Sequence, residues 1–307
     1  SLLALLILGG CAVGPDYQRP DAPVAQAWKT EAGWQASNPR DGELKGAWWE
    51  IFNDTELNAL QQQALKNGQT MVIAQARVDQ ARAQANVANS SFFPRIGAQA
   101  GTARNRTSAE RPLTNYNSQN SSVVQNDFNA AFTVSYELDL FGRVRRQAEG
   151  AGATAQQAQA DFENTRLVLT AELAADYLVL RQTDAEIDVL QQTLAAQTKA
   201  LDFISARHEL GAASGLDLNQ QQGLTAATQT QLTLLQDQRA RYQNAIATLV
   251  GVPAPDFKLP VNLAVTTVPA IPLTAPAALL ERRPDIAAAE RAMAAANAQI
   301  GVARSAY

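Results

Sequence analysis

Two carboxylates, Glu137 and Asp139, stand two residues apart in a segment that alternates between apolar and polar residues. This spacing places both side chains on one face of an extended strand. Paired carboxylates carry out acid–base catalysis in glycosidases, so these residues are the ones whose types suggest an enzyme. The surrounding sequence indicates no substrate cleft, and we therefore predict no catalysis. We expect both side chains to face water, where they would favour cations.

Other reactive side chains are scarce, because the 307-residue sequence has one cysteine and one histidine. These numbers exclude a disulfide framework and a zinc cluster within one chain, so we predict no metal and no cofactor. We interpret His208 as a surface histidine, with a pH-sensing role as the alternative. The formal net charge of −4 predicts no nucleic-acid partner.

The alternating segment runs from Asn126 to Arg143 and predicts a long strand with two different faces. One face is apolar and is expected to contact lipid: Phe128, Ala130, Phe132, Val134, Tyr136 and Leu138. The other is mostly polar and is expected to line a lumen: Asn129, Thr133, Ser135, Glu137 and Asp139. Soluble strands average about 5 to 6 residues, whereas a bilayer-crossing strand needs about 9 to 11. On this segment alone a long strand of a soluble sandwich is an equal alternative, which the flanking helices make less favourable.

A weaker alternating strand is predicted at Arg95–Arg104. The polar residues Asn105–Gln125 join it to the first strand, so that residues 94–142 form a membrane hairpin with a long outer loop at 105–125. Backbone groups in lipid must all be paired, which requires a closed barrel, and one hairpin cannot close one.

Helices are predicted on both sides of this hairpin. Residues 54–93 predict two helices, the first capped by Asp54. Residues 143–250 predict two longer ones, since Val144 to about Leu210 contains no proline and allows about 65 helical residues, or about 100 Å. A turn at residues 211–215 separates them. Leucines and isoleucines at three–four spacing indicate an antiparallel coiled-coil hairpin, and glutamines within it predict that one side lines water.

The first residues predict export and lipidation. Residues 1–10 are typical of the apolar core of a signal peptide. Leu8–Cys11 resembles the lipobox of bacterial lipoproteins, in which the cysteine carries a diacylglycerol and an acyl chain as a membrane anchor. The proline-containing residues 11–53 predict an extended, lipidated tether.

The last residues predict a duplication. Residues 251–284 hold many prolines and are interpreted as an irregular connector. Residues 285–307 match residues 70–92 at a constant offset, for example at Gln299 and Gln84. We therefore expect a fragment of a tandem-duplicated protein, with 285–307 as the start of a truncated second repeat.

Short motifs span nearly the whole sequence. They are Leu8–Cys11 with Gly14-Pro15-Asp16-Tyr17, Trp48-Trp49 with Phe52 and Asp54, Phe93-Pro94-Arg95-Ile96, Tyr136 to Arg143, Gly211 with Leu216-Asp217-Leu218, and Arg282-Arg283-Pro284-Asp285-Ile286. In this order they resemble the outer membrane efflux protein family, and within it the lipoprotein branch of the outer membrane factors. The departure from the family pattern is length, since the second repeat is barely begun.

The resemblance implies a mostly α-helical fold with membrane β-strands. In such a homotrimer each subunit contributes strands to one β-barrel in the lipid of the bacterial outer membrane, and long helical hairpins form an α-barrel across the periplasm. It implies a passive exit duct that receives drugs or other small solutes from a periplasmic adaptor and an inner-membrane pump of the RND type. The tip of the helical hairpin would contact the adaptor or form the gate: Gly211, Ala213, Ser214, Gly215, Leu216 and Asp217.

Two alternatives share parts of this pattern. A structural or adhesive coiled-coil lipoprotein accounts for the lipobox and the helices, but not for amphipathic strands that interrupt them. The channel of a type I secretion system shares the fold, and the lipobox and tether favour the multidrug-efflux branch over it.

Overall fold

The computed structural model describes residues 14–18, 46–112, 120–264, 269 and 283–305. The expectations for residues 1–10, for Cys11 and for most of the tether lie outside these ranges. The chain divides into two compact units. We call them the strand unit, Ser1–Arg19, Ala81–Ala155 and Arg291–Tyr307, and the helical unit, Pro20–Gln80 and Gln156–Glu290.

Five α-helices and two β-strands form within the described ranges. In chain order they are α1 Thr55–Asn67, α2 Gln69–Ser90, β1 Arg95–Thr107, β2 Val123–Ser135, α3 Arg143–Glu209, α4 Gly215–Val250 and α5 Pro284–Arg304. Short 3-10 turns precede α1 at Trp48–Phe52 and follow α4 at Ala254–Asp256. Among the helices that are described, none combines the length and the apolar character needed to cross a membrane.

The two strands pair antiparallel without interruption, from Arg95 opposite Ser135 to Thr107 opposite Val123. The predicted loop bounds of 105–125 are wrong, because three further pairs form and the connection covers residues 108–122. The predicted C-terminal end of the second strand is also wrong. β1 begins directly after Pro94, which has no N–H to donate, so pairing stops at Ser135. The residues expected to continue the strand, Tyr136, Glu137, Leu138 and Asp139, lie in the connection to α3.

Apolar side chains of α1, α3 and α4 form the core of the helical unit, with Leu57, Tyr177 and Ile246 fully buried. The indole Nε1 of Trp48 donates to Thr170 Oγ1 at 3.1 Å, and Trp49 is buried. The tryptophan pair therefore fastens the segment before α1 onto α3.

Asp54 serves two purposes at the start of α1. Its Oδ1 accepts the backbone N–H groups of Glu56 at 2.9 Å and Leu57 at 3.0 Å, which confirms the predicted N-cap. Its Oδ2 accepts the hydroxyl of Tyr177 at 2.7 Å. Burial raises the pKa of this hydroxyl, so Tyr177 stays a neutral donor.

A buried ion network joins three segments of the helical unit at Asp184, whose side chain has no exposed surface. Its carboxylate accepts from Arg181 Nη1 at 2.9 Å and from Arg239 Nε. The same arginines donate to the connector after α4: Arg181 to the carbonyl of Pro260 at 2.8 Å, and Arg239 to that of Leu259 at 2.9 Å. The network therefore holds the connector against α3 and α4.

Residues 14–18 dock onto the strand unit through close backbone contact. Gly14 has a φ of +118°, and a Cβ there would lie 2.7 Å from the Cα of Gly301. The buried Arg146 donates to Asp16 Oδ1 at 2.7 Å, and Asn297 Nδ2 donates to the Pro15 carbonyl at 2.9 Å. Glycine is required at position 14 for both space and conformation.

Replacement of Asp184 by asparagine should lower the free energy of unfolding of the chain by about 3 to 5 kcal/mol, because it leaves two largely buried arginines without their counter-charge. Denaturant titration followed by helical circular dichroism measures the loss. Asp237→Asn is the matched control, because its carboxylate is 59% exposed and pairs with Arg241 on the surface. That change should cost about 0.5 kcal/mol or less. Equal losses would contradict the assigned role of Asp184.

Candidate functional site

One face of the strand hairpin is a continuous apolar surface. Residues directly opposite each other across a ladder share a face, and alternate rungs belong to the same face. We call the resulting surface the apolar face; its rungs are Ile96–Val134, Ala98–Phe132, Ala100–Ala130 and Thr102–Phe128. Phe128 and Phe132 are 80% and 85% exposed in the chain. Large apolar side chains that are this exposed in the single chain are expected to be covered in the functional protein.

The opposite face of the hairpin carries short polar side chains over glycine. Asn129 lies against Gly101, where a Cβ would come within 2.5 Å of its Oδ1, and Thr133 lies against Gly97 in the same way. These amide and hydroxyl groups lean across the neighbouring strand because glycine leaves the space free. We call this surface the polar face; it contains Asn129, Thr133 and Ser135 of the predicted lumen-facing set.

Glu137 and Asp139 do not belong to the polar face, which corrects their assignment to the strand. Glu137 forms an ion pair with Arg143, and its Oε1 accepts from Arg143 Nε at 2.7 Å. The carboxylate of Asp139 accepts the backbone N–H groups of Val144 at 3.1 Å and Arg145 at 3.0 Å. These bonds satisfy the free donors at the start of α3. The two carboxylates therefore end the hairpin and begin the helix.

Both carboxylates are held in the ionised form. The hydrogen bond from Arg143 lowers the pKa of Glu137. For Asp139, burial raises the pKa, but the N–H groups of Arg145 and Val144 and the Arg145 side chain outweigh it, so the pKa lies below its ordinary value. Tyr136 and Leu138, expected on the apolar face, are exposed in the same connection.

The tip between α3 and α4 is a closed turn in which both helix ends are capped. Gly211 has a φ of +71°, and its N–H donates to the His208 carbonyl at 2.9 Å, while the N–H of Ala212 donates to that of Arg207 at 2.8 Å. This is the Schellman arrangement, which favours glycine. At the start of α4, Ser214 Oγ accepts the N–H of Asp217 at 3.1 Å, and Asp217 Oδ2 accepts the N–H of Ser214 at 3.2 Å.

Side chains of α3 brace the same turn. Arg207 Nη2 donates to the Ala212 carbonyl at 2.9 Å, and His208 Nδ1 lies 2.9 Å from the Ala213 carbonyl. Leu216 is 66% exposed at the end of the hairpin. A pocket of about 450 Å³ opens beside the turn, and Ile204, Arg207 and Leu224 are among the residues that line it. The tip thus offers an apolar side chain and a pocket on a rigid turn.

Two features were missed by reasoning from the sequence. The first is the ion network at Asp184, and the second is the docking of residues 14–18 through Arg146. The Gly14-Pro15-Asp16-Tyr17 motif was the available signal for the second. Within the described parts of the chain, no group of histidine, cysteine and carboxylate side chains has the arrangement of a metal site.

Comparison with known proteins identifies a family. The family model for outer membrane efflux proteins matches residues 60–252. The toluene efflux pump outer membrane protein TtgF of Pseudomonas putida is 34% identical over 320 residues, covering 100% of this chain and 64% of TtgF. The antibiotic efflux pump outer membrane protein ArpC of Pseudomonas putida is 32% identical over 314 residues, covering 100% of this chain and 64% of ArpC.

A solved structure supports the same likeness. The outer-membrane channel OprN has a TM-score of 0.79 to this chain at 32% identity, over 96% of this chain and 64% of OprN. The chain therefore spans 64% of the length of the curated relatives named above.

Hydrogen exchange should reveal the capping role of Asp139. Its pKa is depressed in the folded chain, so the stabilisation is present above the ordinary carboxyl pKa of 3.8 and is lost as the pH falls through the lower folded value. Protection of the Val144 and Arg145 amides should decrease below about pH 3.8. In Asp139→Asn, which cannot titrate, protection should not change over this interval. A decrease of the same size in that variant would contradict the prediction.

Proposed function

Because the chain belongs to the outer membrane efflux protein family, we propose that it forms part of the exit duct of a tripartite efflux system in the bacterial outer membrane. The observation that carries the proposal is the apolar face of the β1–β2 hairpin, with Phe128 and Phe132 almost fully exposed. Relatives named for the efflux of toluene and of antibiotics support a duct for small solutes over a channel for secreted proteins. Such a duct conducts passively and carries out no catalysis.

Lipid is the occupant that fits the apolar face. Each strand has 13 residues, which exceeds the roughly 9 to 11 that a tilted strand needs to cross a bilayer. The apolar face runs from Ile96–Val134 to Thr102–Phe128, and Thr102 carries the one polar group in these four rungs. The opposite, polar face carries amides and hydroxyls. One face towards hydrocarbon and one towards water is the pattern of a barrel strand around an aqueous lumen.

The hairpin requires further strands. In the described residues the sheet has two strands, so the outer edge of each has unpaired backbone groups. In hydrocarbon every N–H and C=O needs a partner, and only closure of the sheet supplies one. A homotrimer in which each subunit contributes strands to one barrel meets this need. In the same assembly, the long helices α3 and α4 would line a water-filled α-barrel in the periplasm.

The tip is proposed as the contact with a periplasmic adaptor, which in turn would join an inner-membrane pump of the RND type. The exposed Leu216, the pocket beside Ile204 and the capped turn from Gly211 to Asp217 support this assignment. Ala213, Ser214 and Gly215 would act through the shape of the turn. Cys11 is proposed as the site of lipidation, on the strength of the lipobox pattern at Leu8–Cys11.

Arginine at Phe132 should prevent assembly of the full-length protein, because a charge on the lipid side of a barrel near the midplane costs about 2 to 4 kcal/mol. Heat-modifiable trimer in outer-membrane fractions is the measurement. Thr133→Arg is the matched control, since this neighbouring position lies on the polar face and should retain trimer. Equal tolerance at both positions would place the hairpin outside lipid and would favour a coiled-coil lipoprotein without a pore.

Aspartate at Leu216 should weaken adaptor binding by about tenfold or more without loss of trimer, because it places a charge in a desolvated contact. Copurification of full-length protein with its adaptor, at several salt concentrations, measures the effect. Leu234→Asp is the control: Leu234 is 64% exposed on the same helix and lies 18 residues, about five turns, from Leu216 on the same side. Equal weakening by the two substitutions would show that the contact is not at the tip.

A further inference from the structure

Two arginines stand where the apolar face ends, at the loop end of the hairpin. The ladder places Arg104 opposite Asn126 and Arg106 opposite Val124. These are the next two rungs of the same face after Thr102–Phe128, because side chains two residues apart point the same way. Both arginines are exposed. The apolar surface therefore passes directly into a basic one.

The one carboxylate within β1 and β2 lies on the polar face. Asp127 pairs with Ala103 on the polar face, where its carboxylate accepts Asn105 Nδ2 at 2.9 Å and Gln125 Nε2 at 3.3 Å. Neither arginine thus shares its own face with a strand carboxylate. Arg106 Nε donates to Ser122 Oγ at 3.1 Å, which directs the side chain along the loop end. A guanidinium has five N–H donors, so most of those on Arg106 remain for another ligand.

We propose that Arg104 and Arg106 form a binding site for the anionic, phosphorylated headgroup of a lipid in the outer leaflet. The inference rests on the proposed function, because it requires the apolar face to lie in hydrocarbon. Long loops of membrane barrels face the outside, which puts the loop at 108–122 and these arginines at the outer surface. Headgroup phosphates begin where the hydrocarbon ends. The planar guanidinium fork binds phosphate oxygens in pairs, with shorter and stronger bonds than neutral donors make.

Continuity with the apolar face selects a lipid over a soluble anion. The side chains of Arg104 and Arg106 are about 7 Å apart along β1, a distance that lets both contact one phosphorylated headgroup. The acyl chains of the same molecule would lie along Phe128 and Phe132, two side chains that a soluble phosphate would leave exposed to water. The site thus combines charge for the headgroup with an apolar surface for the tail.

Full-length protein carrying Asn126→Trp, reconstituted in vesicles, tests the proposal. Position 126 shares a rung with Arg104, so a tryptophan there reports the lipid beside the arginines. Brominated phosphatidylglycerol, which has a net negative charge, is compared as a quencher with brominated phosphatidylcholine, whose phosphate is balanced by choline. The quenching measured for the protein without the tryptophan at position 126 is subtracted. The anionic lipid should quench more strongly. The association constant of the anionic lipid is divided by that of the zwitterionic lipid. This ratio should fall about fivefold in R104Q and about fivefold in R106Q, the effect expected of one basic residue at an anionic surface.

Arg95→Gln is the matched control, because Arg95 belongs to the same strand but lies on the polar face opposite Ser135. Its ratio should equal that of the Asn126→Trp protein in which all three arginines are kept. An unchanged ratio in the double variant, or an equal fall in R95Q, would overturn the lipid site while leaving the barrel intact. Absence of quenching by both brominated lipids would instead show that the hairpin is not in lipid, and would overturn the proposed function together with the site.

Discussion

Asp184 has no exposed side-chain surface, and α3, α4 and the connector after α4 meet at its carboxylate. A buried carboxylate is unfavourable unless its charge and its lone pairs are satisfied. Here two guanidinium groups and a backbone N–H bind the carboxylate, and each arginine also donates one hydrogen bond to a carbonyl of the connector. The arrangement is therefore specific in geometry, and it keeps an irregular, proline-rich segment in one place against the helices.

Carboxylates that bind N–H groups and arginine also define the boundary between the hairpin and α3, here at the surface. A strand that alternates its side chains and a helix with 3.6 residues per turn cannot share residues, so a short connection must satisfy the end of each. Asp139 does so by binding the first N–H groups of α3, and Glu137 by pairing with Arg143. Carboxylates with the spacing of a catalytic pair are thus used to end one structure and begin another.

The features that could be predicted from the sequence are those with a regular local periodicity. The helices and the two hairpin faces were predictable because alternation or three–four spacing repeats over many residues. The end of β2 was not, since it depends on where β1 begins, beyond Pro94. The ion pairs were also not predictable: Arg239 and Asp184 are 55 residues apart, and Arg146 and Asp16 are 130 apart. A single arginine or aspartate on an amphipathic helix has no signature that distinguishes a buried pair from a solvated charge.

The capped turn at the tip has a thermodynamic consequence. A loop that is disordered before binding loses conformational entropy when a partner fixes it, and the affinity is reduced accordingly. Between Arg207 and Asp217 the hydrogen bonds that fix the backbone are already made within the chain. A partner that meets this turn finds it preorganised, so that few degrees of freedom remain to be lost. Its affinity then depends on the side chains presented there, because the backbone of the turn needs little further ordering.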